Sequence, residues 1–259
     1  MLLTLIAALL AAGLFLGMLL FLEVGRRIGT AQATRDPDGL AKGIGAAEAA
    51  VFGLLGLIIA FSFSGAASRF EDRRHLITQE ANAIGTAWLR LDLLPTDAQP
   101  GIRQLFRQYA EIRASVYSDI GDAAGTKSKI DGTERLQKDI WAGTLAAGRR
   151  PDAQGHAMML LVPALNEMID ITTTRTAATQ NHPPGVIFIL LAGLSLIGSL
   201  LVGYSMSANR HRSWLHTIAF AVVMSLAAYV IVDLEFPRMG LIRIGGADQI
   251  LIDLRNSMN

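Results

Sequence analysis

FSFSGAASRFEDRRHL, residues 61–76, starts inside a strongly apolar run and ends in a cluster of charges with no proline between the two. Upstream, Asp36 and Pro37 suit a cap and a first helical position, and the next proline is Pro95. One helix, or two nearly collinear ones, can therefore fill the interval. At 1.5 Å per residue it measures about 85 Å, about twice what a bilayer requires, so the helix must leave the membrane. Past the apolar part, Phe70, Arg74, Ile77, Ala81, Ile84, Trp88 and Leu91 recur in steps of four and three, the seam of a helical bundle. Arg74 is the misfit there, which puts the start of packing at Ile77, and Gly85 loosens the seam locally.

The composition agrees with a membrane protein. Of 259 residues, 51% are hydrophobic and 17% charged, more apolar than a typical soluble domain. A net charge of +1 with no basic run removes the electrostatic case for nucleic acid as a partner. The absence of cysteine excludes disulfides, thiolate metal sites and a cysteine nucleophile. Four stretches are long and apolar enough to cross the hydrocarbon core: 2–22, 44–67, 186–206 and 214–232. The first has no basic leader region and runs on to Glu23, Arg26 and Arg27, so it reads as a retained span. Gly13 and Gly17, and Ser195, Ser199 and Gly203, repeat every four residues, a spacing that permits close helix approach and is also common on lipid-facing surfaces.

The expected fold is all-α. It comprises transmembrane helices 1 and 2 (1–67), a polar helical domain (68–183), transmembrane helices 3 and 4 (184–234) and a C-terminal tail (235–259). Two short hairpins put both termini and the polar domain on one side. Arg26, Arg27, Arg35, Lys42, Arg210 and Arg212 on one face nearly balance Arg69, Arg73, Arg74, Arg238 and Arg243 on the other, so charge does not set the orientation. Within the polar domain, Ile102, Leu105, Phe106, Tyr109, Ile112, Val116 and Ile120 share a helical face. GDAAGTKSKIDG, 121–132, reads as a loop before a helix around Leu136, Ile140 and Leu145. A third helix, about 156–180, contains Pro163 as a kink or true start, and HPPG at 182–185 separates it from the third span.

Nothing in the chain reads as an enzyme. His75, His156, His182, His211 and His216 lack carboxylates at ligand spacing, and there is no phosphate loop, dinucleotide fingerprint or nucleophile elbow. Glu71 and Asp72 are adjacent on a helix and point apart. No metal, calcium site or cofactor is expected, the C-terminal stretch GADQILIDLRNSMN having only scattered acids.

LLGLIIAFSFSGAASRFEDRRHLITQEANAIGTA resembles the second transmembrane helix of bacterial bestrophins: an apolar run, a phenylalanine, small or polar residues, then an RF-acidic-x-RR cluster. More closely, the whole chain is similar to the bacterial bestrophin-like domain family, through PALNEMIDITTTR (163–175), HPPGVIFILL (182–191), LVGY (201–204) and DLEFPRMGLIRI (233–244). The bestrophin resemblance implies a homopentamer of four-span subunits in the bacterial inner membrane. Its second helices would line a pore for inorganic ions, and the helical domain and termini would be cytosolic. Carried over by position, Phe61 is the last neck residue, Leu57 the one before and Gly53 the one before that. Gly53 departs from the bulky neck pattern, pointing to a wider or shorter constriction.

Helical rotation of 100° per residue places Ala50, Leu54, Leu57, Gly65, Ser68 and Asp72 within about 40° of Phe61. The stripe runs from apolar through small and polar to acidic, the order of an apolar constriction opening into a hydrated vestibule of Gly65, Ser68, Arg69 and Asp72. An Asp72 ring favours cations, and Arg69 at the stripe's margin can offset it. Phe61 and Leu57 also suit plain packing or lipid contact, and the serines can bond back to their own helix. Glu48, the one acid within a span, sits near its entrance and faces away from Phe61. With Arg73 and Arg74, which lie toward the opposite face, it is a candidate for subunit or lipid-headgroup contact. Asn166, Glu167 and Asp170 read as a solvated helix face. A non-conducting membrane scaffold that recruits a partner through the helical domain is the alternative from a different class.

Overall fold

The computed structural model describes residues 2–34, 44–116, 123–208, 214–237 and 241–258, and every regular element among them is helical. In chain order these are α1 (Leu2–Ala33), α2 (Ile44–Arg90), α3 (Gln99–Ser115), α4 (Ala123–Gly148), α5 (Ala157–Gln180), α6 (Gly185–Ser205), α7 (Trp214–Glu235) and α8 (Gly245–Ser257). Among the described residues, four helical stretches are long and apolar enough to cross a membrane: Leu5–Ala33, Glu48–Leu93, Ala157–Ser205 and Trp214–Glu235. The third covers α5 and α6, of which α6 is the apolar member. The chain divides into two compact units, one of Met1–Phe70 and His182–Ile242, the other of Glu71–Asn181 and Arg243–Asn259.

Helix α2 contributes to both units without a break, 47 residues that rise about 70 Å. It ends at Arg90 in a short 3-10 turn, Leu91–Leu93, ahead of Pro95. The expected cap at Asp36 and Pro37 lies outside the described residues.

In the first unit, α1 and α6 cross at backbone contact. A Cβ on Gly25 would lie 1.9 Å from the Leu200 carbonyl oxygen, and one on Gly203 would lie 2.0 Å from that of Leu22. Gly29 is similarly tight against Tyr204 and Ser207, and Gly17 meets Leu196. Gly13, by contrast, has nothing within 4 Å. Ser195 and Ser199 are buried and bond back to the carbonyls of Leu191 and Ser195, both at 2.7 Å, so they act as small, self-satisfied side chains. The apolar core joins Leu55 and Ala66 of α2 to Leu191 and Leu194 of α6 and Ile231 and Leu234 of α7. Phe52 meets Phe220 edge to face with ring centres 6.1 Å apart.

In the second unit the expected seam of α2 is buried from Ile77 through Ala81, Ile84 and Trp88 to Leu91, while Arg74 is exposed. Phe106 and Tyr109 of α3, Ile140 of α4, Leu161, Leu165 and Met168 of α5 and Leu251 of α8 complete the core. Trp88 is flanked by Phe106 and by the guanidinium of Arg103, 4.4 Å above its ring. Ile120 lies outside the described residues. Pro163 is carried inside α5, which starts six residues earlier at Ala157.

The loop expected over 121–132 is a correction: α4 is helical from Ala123. Gly125, Gly132 and the serine and threonine of this stretch favour a turn locally, but packing on α3 overrides that preference. A Cβ on Gly132 would sit 3.4 Å from Ile112, Lys129 donates to the Ser115 carbonyl at 2.9 Å, and Thr133 is buried. The C-terminal segment also folds, as α8. Leu251 and Met258 are buried, Arg107 Nε donates to the Met258 carbonyl at 2.5 Å, and Leu254 lies against Gly85. Gly85 thus makes room for α8 where the sequence reads as a weakness in the seam.

Candidate functional site: the exposed face and charged exit of the second helix

The apolar half of α2 has two unlike faces. Leu55 and Ala66 are buried in the first unit's core, with Phe52, Ile59 and Phe70 packed beside them. On the other side Leu54, Leu57 and Phe61 are exposed, Phe61 by 68% and Leu57 by 49%. Gly53, a turn before Leu57, has nothing within 4 Å of a notional Cβ. The exposed row continues through Ser64, Ser68 and Asp72, with Gly65 half-buried at its margin. The 3.6-residue repeat carries this face along one uninterrupted helix.

The charged residues at the exit are assigned individually. Arg69 turns back along α2 and forms a bidentate pair with Glu235 at the end of α7, Nη2 to Oε2 at 2.6 Å and Nε to Oε1 at 3.2 Å. The Glu235 carboxylate is fully buried and also meets His182 Nδ1 at 2.9 Å. His182 in turn stacks on Phe236, ring centres 4.6 Å apart. Gly65 leaves room for the turned-back side chain: a Cβ there would stand 3.2 Å from Arg69 Nη1. Charge-assisted, forked bonds of this kind are the strong ones, and removal of either partner would strand a buried charge.

Arg73 is buried and donates to the carbonyls of Ala178 and Asn181, both at 3.0 Å, where α5 ends with unpaired acceptors and the negative end of its dipole. Arg74 pairs at the surface with Glu71 on its own helix at 2.9 Å. Asp72 is exposed, and its side chain has no ion pair or hydrogen bond among the described residues. Glu48 is half-exposed and accepts a hydrogen bond from Ser205 Oγ at the end of α6. Asp233 accepts from the backbone amides of Leu241 and Ile242 at 3.0 and 2.8 Å, a fold-holding role for one of the acids at the α7 exit.

A family model for the bestrophin-like domain matches residues 7–247. The chain belongs to the bestrophin-like domain family. The match takes in α1 to α7 and the start of α8, and so includes both units. No curated protein and no solved structure matches the chain.

Against the sequence reading, the structure groups Leu57, Phe61, Ser68 and Asp72 on the exposed side of α2 and removes Arg69 to an ion pair. It also uses Arg73 inside its own chain. Asn166, Glu167 and Asp170 are exposed on α5. Sequence reasoning missed two groups. Glu235 and His182 lie in the DLEFPRMGLIRI and HPPGVIFILL stretches, where Glu235 reads only as one of the charges that gather at a membrane exit; the available signal for its pairing was a carboxylate closing an apolar helix opposite a helix that ends in arginines. In the second unit Glu80 is buried between Arg113 and Arg175, and Arg175 reaches Asp248 of α8 at 3.4 Å. Glu80 falls between Ile77 and Ile84 in the buried seam, and a carboxylate in that phase demands buried cations.

Proposed function

We propose that this bestrophin-like protein assembles as a homopentamer in the bacterial inner membrane and that its second helices surround an ion-conducting pore. Leu57 and Phe61 form the apolar constriction, Gly53 lies a turn before them, and Gly65, Ser68 and Asp72 face the vestibule beyond. The helical domain and both termini lie on the cytosolic side. No catalytic step is part of this reading. The observation that carries it is the row of bare apolar side chains at Leu54, Leu57 and Phe61, which gives way along one unbroken helix to Ser64, Ser68 and Asp72. An apolar ring followed by polar ones suits a barrier that opens by wetting.

Planar-bilayer recording of the purified protein tests the proposal. Conductance is expected, and it should change when Phe61→Ala or Leu57→Ala shortens the barrier. Silent bilayers from well-folded oligomers would count against it. A second reading, a non-conducting scaffold, is favoured by one patch on the second unit: Leu89, Met159 and Leu160 are exposed, Met159 by 77%, where Arg90 bonds the Leu160 carbonyl. Silent bilayers would favour that reading.

A further inference from the structure

We infer that Glu235 is a positioning residue for ion selectivity: by holding Arg69 in a buried pair it leaves Asp72 as the unopposed charge of the exposed face, so the pore prefers inorganic cations. This rests on the pore reading above and assigns the permeant class and the residue that sets it.

Between Val51 and Ile77, α2 carries Arg69, Glu71, Asp72, Arg73, Arg74 and His75 as titratable side chains. By count alone three arginines outnumber two acids, and a ring of such helices would be anion-attracting. The structure reverses that sum. Arg69 is forked onto the fully buried Glu235 carboxylate, which also takes the His182 contact. Arg73 is buried on the far side of the helix against the end of α5. Arg74 and Glu71 cancel as an i,i+3 pair. Asp72 is left, exposed and without a described partner, with His75 as the other titratable group nearby.

Position gives Glu235 its influence. Arg69 and Asp72 are i,i+3 neighbours on α2, so a guanidinium released from α7 would find Asp72 as its nearest carboxylate on that helix. The bare backbone at Gly65 gives the guanidinium its way to Glu235. The choice between the two carboxylates decides whether a ring of Asp72 side chains is neutralised.

The test is the reversal potential of the purified oligomer in bilayers under a KCl gradient. Wild type is expected to reverse on the potassium side. Asp72→Asn, a surface change, should lower the potassium-to-chloride permeability ratio about fivefold, the effect of one charge a few ångströms from the ion path. Glu235→Gln should lower it as far or invert it, because Arg69 is released. The double variant Arg69→Gln with Glu235→Gln should reverse where wild type does, a rescue that a merely structural role for Glu235 would not give. The double also serves if Glu235→Gln alone fails to fold. Conducting protein whose reversal is unmoved by Asp72→Asn, or a double variant that shifts as Asp72→Asn does, would overturn this inference and leave the pore intact. No conductance from any folded variant would overturn the pore and this inference with it.

Discussion

At the scale of single residues, the largest unsupported cost in the second unit would follow from losing Glu80. Burial pushes its carboxyl up, but the charges and hydrogen bonds of Arg113 and Arg175 outweigh burial and hold it below the ordinary 4.5. Glu80→Gln would leave two buried guanidiniums short of an anion, at a cost of about 3–5 kcal/mol. Denaturation followed by the fluorescence of Trp88, buried in the same unit, should show the midpoint fall. An unchanged midpoint would mean that the arginines find other anions. The pH dependence has a definite sign. Because the folded pKa is depressed, this contribution is complete above 4.5 and is lost as pH falls through the lower folded value. Wild type should therefore lose stability on the acid side, and the Gln variant should show a flatter profile there. The carboxylate's phase in the seam was legible beforehand; its cations were not, since Arg113 and Arg175 come from α3 and α5, and only the folded chain brings them together.

At the scale of elements, the approach of α1 to α6 shows how far a small-residue pattern can be read. Four-residue spacing singles out Gly13, Gly17, Ser195, Ser199 and Gly203 and leaves open whether they meet a helix or lipid. The spacing does not encode which turn lies at the crossing point, and the crossing falls toward the ends of both helices, at Gly25 and Gly29 against Leu200 and Tyr204, and at Gly203 against Leu22. These glycines differ in what they predict. At Gly203 the neighbours of an added Cβ are backbone atoms, which cannot rotate away. Gly203→Leu should separate the helices and cost at least the ~1–3 kcal/mol of ordinary overpacking. Gly13→Leu, in open space, should leave stability unchanged. Thermal unfolding in one detergent distinguishes the two, and equal melting temperatures would refute the tight crossing. Helix α4 gives the converse lesson. Its first turns read as loop because two glycines, a serine and a threonine fall within ten residues, and the packing partner at Gly132, Ile112, belongs to another element.

At the scale of the whole molecule, span number, helical class and the long second helix follow from hydropathy and the absence of proline between residues 38 and 94. What covers the outer face of α2, lipid or a second copy of the chain, lies outside the single chain, and its periodicity does not state it. A lipid-facing row would be expected to stay apolar until the span ends and then meet headgroups with basic side chains. The row here turns to serine three residues after Phe61 and ends in an acid, with every nearby arginine engaged elsewhere. Such an order favours a shared aqueous space over lipid. The chain's lack of cysteine permits a clean test, since Phe61→Cys introduces a single thiol. With a short bifunctional thiol-reactive linker in native membranes, each thiol joins one neighbour, so the proposed pentamer should give a dimer band that holds up to four of every five subunits and persists when the protein is diluted in the membrane, and Leu57→Cys should do the same. Leu55→Cys points into the core of its own subunit and should give none. If Phe61 faces lipid instead, dimers form only on collision, and dilution of the protein in the membrane removes them. A dimer band that fades on dilution would end the case for a common axis, whatever the oligomer's size.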